Sequence, residues 1–308
     1  MSSQKSLLER LVSSSVTIAN AAGEIICDVM KKGDLGIVQK EHLKDLQTEA
    51  DREAQLCIVS SLNKYFPNIT IIGEEDETVG STGGKIVDIS RDTPVNITVP
   101  DNYCNINEKE VVVWVDPLDG TSEYTQGLLD HVTVLIGIAV NGKAIAGVIH
   151  QPYFNYKNPG NKLGRTIWGV VGGVVGGMEI KSPPVDRYIV ATTRSHASST
   201  VNEAISSVSP DEVLRVGGSG HKVMLLLEGL AHSYVFASPG TKKWDTCAPQ
   251  AILEAAGGSL TDICGEILPY AASAPHRNSK GVLATAAGQD HLALAAKIPQ
   301  QVKDNLIA

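Results

Sequence analysis

What the chain lacks narrows its class first. Its five cysteines (Cys27, Cys57, Cys104, Cys247 and Cys264) are odd in number and scattered, with no CxxC pair. That excludes a disulfide framework and predicts reduced thiols in a cytoplasmic protein. No apolar run approaches the roughly 20 residues that span a bilayer. The start Met1-Ser2-Ser3-Gln4-Lys5 has no signal-peptide core, and Asn305-Leu306-Ile307-Ala308 is neither a prenylation nor a peroxisomal signal. Basic residues are in deficit: 26 Lys and Arg against 34 Asp and Glu give a formal charge of −8. An acidic chain without a basic stripe is a poor nucleic-acid binder, although metals and a few cations can still capture a small anion. There is no internal repeat and no Walker loop. Gly217–Lys222 lacks the Gly-Lys-Ser/Thr ending, and Gly80–Lys85 lacks Gly at 79 and Ser or Thr at 86.

What is present is ample core material, 43% hydrophobic over 308 residues, enough for one large domain or two coupled ones. Leu8, Leu11, Val12, Ile18, Ala22, Ile25, Ile26 and Val29 follow helical spacing, so residues 5–32 are expected to form one helix. Thr48 opens a second, running to about residue 65. Ile69–Ile72 is expected as a short buried strand ending in Gly73-Glu74-Glu75. Residues 76–110, polar and punctuated by Gly and Pro, read as an excursion with little regular structure. Strands follow at 111–115, 132–140, 143–149 and 166–171, the middle two joined by Asn141-Gly142, a strong hairpin signal. Beyond about Val185, strands 188–192, 213–216 and 233–237 alternate with helices 199–208, 221–231 and 244–256. That alternation predicts α/β packing with mostly parallel strands. The expected organisation is an α+β part over 1–180 and an α/β part over 181–308, with a boundary near Lys181-Ser182-Pro183-Pro184.

The chemistry concentrates in Val111–Thr121 (VVVWVDPLDGT). Five β-favouring residues drive a buried strand, which ends in a carboxylate, a proline turn, a second carboxylate, a glycine and a hydroxyl. Asp-Pro-x-Asp-Gly is also a good surface turn. A strand this apolar is buried on both faces, however, and two carboxylates at its mouth repel unless cations sit between them. Hard oxygen ligands of this kind suit Mg²⁺. Glu74 ends a second apolar strand in the same way. Asp51, three residues after Thr48, is close to a capping-box aspartate. Asp245 opens a helix, where an aspartate is also favoured by the helix dipole alone. Gly217-Gly218-Ser219-Gly220-His221-Lys222 joins a strand to a helix, so bare amides and a lysine there can make an anion site or a plain flexible turn. Thr193 and His196 end another strand, where α/β proteins bind ligands.

These segments together resemble the 3′(2′),5′-bisphosphate nucleotidase branch of the lithium-sensitive, Mg-dependent phosphatases, relatives of the inositol monophosphatases, inositol polyphosphate 1-phosphatases and fructose-1,6-bisphosphatases. The matching elements are Asp45–Asp51 (DLQTEAD), Ile71–Glu75 (IIGEE), Trp114–Tyr124 (WVDPLDGTSEY), Thr192–His196 (TTRSH), Val216–Lys222 (VGGSGHK) and Lys242–Pro249 (KKWDTCAP). They extend over most of the chain. The resemblance implies a layered αβαβα sandwich of the sugar-phosphatase type. It implies metal ligands Glu74, Asp116, the Leu118 carbonyl, Asp119 and Asp245. Asp51 and Thr121 match the pair that orients and deprotonates the attacking water. Thr121, Thr193, His196, Gly218, Ser219 and Lys222 match the substrate-holding region, with Lys222 and His196 the candidates for the phosphate that is not cleaved. Ser122 departs from relatives that often carry lysine there. The implied activity is hydrolysis of the 3′-phosphate of adenosine 3′,5′-bisphosphate, and of the 5′-phosphosulfate analogue, using two or three Mg²⁺ ions and inhibited by Li⁺. A monomer acting on a small nucleotide, with no nucleic-acid or membrane partner, is expected. An inositol polyphosphate 1-phosphatase and a non-catalytic nucleotide sensor are the alternatives.

Overall fold

The computed structural model describes residues 5–40, 46–75, 84–89, 95–158 and 160–307. The apolar stripe near the start forms helix α1 (Leu7–Lys32), opened by Ser6, whose hydroxyl oxygen accepts the Glu9 amide at 3.2 Å, and closed by Gly33 at φ 83°. Strands β1 (Val38–Gln39) and β2 (Leu46–Gln47) form a small antiparallel pair. Helix α2 (Glu49–Tyr65) starts at Thr48 with the expected capping box to Asp51. Then come β3 (Thr70–Gly73), β4 (Val111–Asp119), the short helix α3 (Thr121–Thr125), β5 (Thr133–Val140), β6 (Lys143–Gln151), β7 (Arg165–Val170) and β8 (Val175–Gly176). In that order β3 to β8 build a six-stranded sheet, with β3 parallel to β4 and every other pair antiparallel. Of residues 76–110, those described carry short 3₁₀ segments, among them Asp101–Tyr103 and Glu108–Glu110, and no strand.

Strand β4 continues to Asp119, beyond the expected end at residue 115. Its register slips by one residue: Asp116 pairs with Leu135 and Asp119 with Thr133. Two residues three apart in a regular strand face opposite sides, so the extra residue of this bulge puts both aspartates on one side. Pro117, which cannot donate to a ladder, sits within the slip.

The second half supplies β9 (Ile189–Thr193), α4 (Ser199–Ser207), β10 (Glu212–Val216), α5 (Ser219–Leu227), β11 (Ser233–Phe236), α6 (Lys243–Ala255), β12 (Ser259–Thr261), β13 (Val282–Thr285), α7 (His291–Lys297) and α8 (Gln300–Ile307). The five-stranded sheet runs β10-β9-β11-β13-β12. The expected parallel pairing holds for β9 with β10 and β11, but β13 is antiparallel to both its neighbours. Helices α1 and α2 cover one face of the first sheet, α5 and α6 lie between the sheets, and α4, α7 and α8 cover the far face of the second. This is the expected αβαβα sandwich.

One core packs α1 and α2 on the first sheet through Leu11, Ile18, Ile58, Val113 and Ile136. The other, with Trp114, Leu135, Val190, Leu226 and Leu253, fills the space between the sheets and extends through the second. Helix α6 lies in a trough of three glycines side by side: Gly137, Gly147 and Gly169 pair across β5, β6 and β7. A Cβ on them would come within 2.5 Å of Cys247 Cβ, 2.5 Å of the Ala248 carbonyl and 3.2 Å of Ile252 Cα. The missing side chains let the α6 backbone rest on the sheet, and α6 carries Asp245.

Candidate active site

Asp116 and Asp119 end β4, and Asp245 stands in the first turn of α6. Each offers one carboxylate oxygen, and these oxygens lie within 4.8 Å of one another. Glu74 directly follows β3, and its amide donates to Val115 O at 3.0 Å, setting it beside the end of β4. Burial pushes all four carboxyls up. Glu74 reaches about 7, burial and the charges of Glu75 and Asp51 outweighing Lys40 and Lys242. Asp245 reaches about 8 through burial, then Asp119 and Glu74. Asp116 rises well above the carboxylate range through burial and the charges of Glu74, Asp119 and Asp245. Asp119 is raised by burial against the pull of its hydrogen bonds. Carboxylates crowded in a low-dielectric site repel, and a cation bound between them relieves that repulsion. An all-oxygen set fits a hard divalent cation. Glu74, Asp116, Asp119 and Asp245 would hold Mg²⁺. The Leu118 carbonyl, the fifth expected ligand, lies 3.0 Å from the Thr121 hydroxyl.

Gly120, at φ 91°, turns the chain in the left-handed region and starts α3 with Thr121 facing α2. Thr121 Oγ1 lies 3.0 Å from Asp51 Oδ1 and 3.0 Å from Leu118 O. The other Asp51 oxygen caps α2, accepting the Thr48 amide at 2.7 Å and the Thr48 hydroxyl at 2.5 Å. Asp51 therefore caps α2 through one oxygen and meets Thr121 through the other. Burial pushes this carboxyl up to about 6, against the hydrogen bonds from Thr48 and Thr121.

The glycine loop before α5 differs from its expected role in one respect. Its bare amides are taken by the protein's own carboxylate: Ser219 N donates to Asp119 Oδ1 at 2.9 Å and Gly220 N to Asp119 Oδ2 at 2.8 Å, with Thr133 Oγ1 adding a third bond at 2.8 Å. Gly218 is at φ 70°, and a Cβ there would sit 2.6 Å from His131 O. Lys222 is buried, its ammonium donating to Gly218 O at 2.8 Å and lying 5.3 Å from the Tyr234 ring centroid. Burial pulls Lys222 down, opposed by Asp119, Glu123 and Asp245. Thr193, buried at the end of β9, accepts the His196 amide at 3.1 Å, and exposed His196 meets Phe236 edge-on at 6.4 Å. The structure thus packs Gly218, Ser219 and Lys222 around Asp119, while Thr193 and His196 form a turn of their own. Ser122 accepts Gln126 Nε2 at 3.0 Å. Asp45, Asp76 and Glu77 lie outside the described residues.

Some residues of the site escaped the sequence reading. Lys40 Nζ bridges Glu75 Oε1 at 2.7 Å and Glu74 Oε1 at 3.3 Å, and Gln47 also donates to Glu75. Burial would lower Lys40, but Glu74 and Glu75 outweigh it and hold the amine protonated. Gln55 clamps the Glu75 backbone, accepting its N–H at 2.9 Å and donating to its carbonyl at 2.5 Å. Gly73 makes room for that clamp, since a Cβ there would be 2.4 Å from Gln55 Oε1. A lone lysine just after a two-residue strand carries no sequence signal, whereas the glycine before Glu74 does.

An αβαβα sandwich with a buried carboxylate cluster at a bulged strand end, beside a Thr–Asp pair, is the framework of a metal-dependent phosphatase. The chain belongs to the inositol monophosphatase family, whose model matches residues 7–303. It is 52% identical to human 3′(2′),5′-bisphosphate nucleotidase 1, an alignment that covers 100% of both chains. It is 37% identical to the protein of the same name from Dictyostelium discoideum, over 92% of this chain and 95% of that one. Extragenic suppressor protein suhB from Bartonella henselae superposes with a TM-score of 0.69 over 94% of this chain and 98% of that one, and at 19% identity it speaks for the fold alone. Among the described residues no helix is long and apolar enough to cross a membrane.

Proposed function

We propose that the protein is a Mg²⁺-dependent phosphatase that removes the 3′-phosphate of adenosine 3′,5′-bisphosphate, giving AMP and phosphate, and that it also accepts 3′-phosphoadenosine 5′-phosphosulfate. The observation that carries this reading is the pairing of the Asp116–Asp119–Asp245 cluster with the Asp51–Thr121 hydrogen bond, in a chain 52% identical along its whole length to a bisphosphate nucleotidase. When bound, Mg²⁺ supplies positive charge to the attacking and leaving oxygens of an in-line displacement. The protein's own groups handle the proton. With Asp51 ionised, the Thr121 hydroxyl donates to Asp51 Oδ1 and keeps a lone pair for the water that attacks phosphorus. As that water loses a proton to Thr121 Oγ1, the Thr121 proton passes to Asp51 Oδ1. The bond from phosphorus to the ribose 3′-oxygen breaks as the new P–O bond forms, the departing 3′-oxygen takes a proton from a solvent water, and Asp51 returns its proton to solvent. An Asp51 pushed up to about 6 is a better proton acceptor than an ordinary carboxylate at neutral pH. Thr193, His196, Gly218, Ser219 and Lys222 hold the nucleotide around this centre.

Phosphate release measured in parallel on adenosine 3′,5′-bisphosphate and inositol 1,4-bisphosphate, with Mg²⁺ varied, tests the reading. Preference for the nucleotide is expected; a clear preference for the inositol substrate overturns it. Tight nucleotide binding without any turnover would instead mark a sensor. Metal stoichiometry from calorimetry tests the occupancy of two or three ions, and inhibition of the same reaction by Li⁺ is expected.

A further inference from the structure

Glu123 is a buried carboxylate with no part in the chemistry described above. It stands two residues after Thr121 on α3, its side chain 4% exposed. Its Oε1 accepts Arg194 Nη1 at 3.3 Å, and Arg194 Nη2 donates to Gln126 Oε1 at 2.7 Å. The guanidinium is thus held at two points, by Glu123 on α3 and by Gln126 just after it. Glu123 also lies flat against Gly217: a Cβ there would come within 2.0 Å of the Glu123 carboxyl carbon. The Lys222 ammonium and the Arg194 guanidinium both oppose the upward push of burial on this carboxyl. Arg194 and Gly217 directly follow β9 and β10 of the second sheet, and Arg194 N donates to Val216 O at 3.1 Å. Glu123 stands on α3, which follows β4 of the first sheet. A buried carboxylate is costly unless its partners are well placed, and here the partners are the two loops that carry Thr193, His196, Gly218 and Lys222.

We propose that Glu123 and Arg194 are a positioning pair, which fixes the substrate-holding loops at a set distance from Thr121 and so governs affinity for the bisphosphate rather than the rate of its cleavage. The proposal rests on the nucleotidase reading. Its logic is one of ordering. With the pair intact, the turn from Thr193 to His196 is already in place when substrate arrives. Without it, binding must order the turn, a cost shared equally by ground and transition states and therefore read in KM and not in kcat.

Steady-state phosphate release from adenosine 3′,5′-bisphosphate tests this with Glu123→Gln, which keeps the volume against Gly217, with Arg194→Gln, and with both together. Each single variant is expected to raise KM about tenfold with kcat within twofold and an unchanged Mg²⁺ requirement, and the double variant to be no worse than either, because the two remove one interaction. Arg194→Lys should recover part of the affinity. Arg194 is the more exposed partner, so its variants keep the test alive if Glu123→Gln folds poorly. A fall in kcat at unchanged KM, additive losses in the double variant, or a shifted Mg²⁺ requirement would overturn the proposal. If the wild type ignores the bisphosphate, the nucleotidase reading itself fails. Equilibrium binding of AMP in Mg²⁺ then judges the pair directly: a tenfold weakening in Arg194→Gln upholds it, and a change under twofold overturns it.

Discussion

Replacing Asp51 with asparagine should make the metal-free protein more stable at neutral pH while removing its activity. The Asp51 carboxyl titrates near 3.8 in the unfolded chain and near about 6 in the folded one, because burial outweighs the hydrogen bonds from Thr48 and Thr121. Below about pH 4 both states carry the proton and the side chain is equally neutral in each. As pH rises toward 6 the unfolded chain releases its proton first, so native stability falls. Above about 6 both states are ionised and the deficit stays constant, at about 3 kcal/mol for a displacement of this size. Asparagine has no such slope. Its oxygen can still accept from Thr48 and its amide can donate to Thr121. Unfolding should be followed in EDTA at pH 4, 6 and 8 for both proteins, and the quantity of interest is how their difference changes with pH. The variant should gain about 3 kcal/mol on the wild type between pH 4 and pH 8, roughly 5 °C in Tm for a chain of this length. Turnover at pH 8 in Mg²⁺ should drop by at least about 100-fold, since asparagine cannot take the proton from Thr121. A stability difference that does not vary with pH, or that moves the other way, would refute the argument that a buried, ionisable Asp51 is held at the cost of stability.

The other carboxylates behave differently from one another. Asp116→Asn should abolish Mg²⁺-dependent turnover and leave Tm in EDTA unchanged or higher, because it removes one charge from the buried cluster; a lower Tm there would contradict the repulsion. Asp119→Asn should abolish turnover and also cost about 1–3 kcal/mol, since its new amide must face the Ser219 or Gly220 N–H and orphan a donor; an unchanged Tm would contradict this. Mg²⁺ at about 100 times its Kd should stabilise the wild type by about 2.7 kcal/mol, and differential scanning calorimetry should show that gain lost in Asp245→Asn. Gly147→Ala should cost about 1–3 kcal/mol by pushing α6 off the sheet, and should raise the Mg²⁺ concentration for half-maximal rate because Asp245 moves with the helix; normal Mg²⁺ dependence would separate the trough from the site.

The parts of the fold that sequence made legible are those where one local pattern decides. Helix α1 has an unbroken apolar stripe, and the hairpin of β5 and β6 has Asn141-Gly142 at its tip, with both turn residues at positive φ as this turn requires. Strands β12 and β13 went unread because they are three and four residues long, and their places depend on partners far away in the chain. The direction of β13 is likewise a tertiary matter. In the site, Glu74, Asp116, Asp119 and Asp245 could be named because each sits at the end of a patterned element. Their convergence was implied by the resemblance alone, since in the chain itself it rests on the β4 bulge and on the glycine trough. The three glycines of that trough lie on separate strands, and only strand register brings them into one row.

Asp119 shows why the glycine loop was legible as an anion site but not in its occupant. A helix N-terminus preceded by glycines attracts negative charge whatever its source. Here the nearest negative charge is a side chain from the other sheet, delivered by the β4 bulge. Its two oxygens accept the Ser219 and Gly220 amides, and the same carboxylate faces Asp116 and Asp245. One group therefore ties the second sheet to the first and completes the acidic cluster that could hold a metal ion. Those amides pull the Asp119 carboxyl down, against the larger upward push of burial. Packing of the two sheets and assembly of the acidic cluster are consequently coupled, and on the proposed Mg²⁺ chemistry substitutions that loosen α5 should be read in metal affinity before they are read in fold.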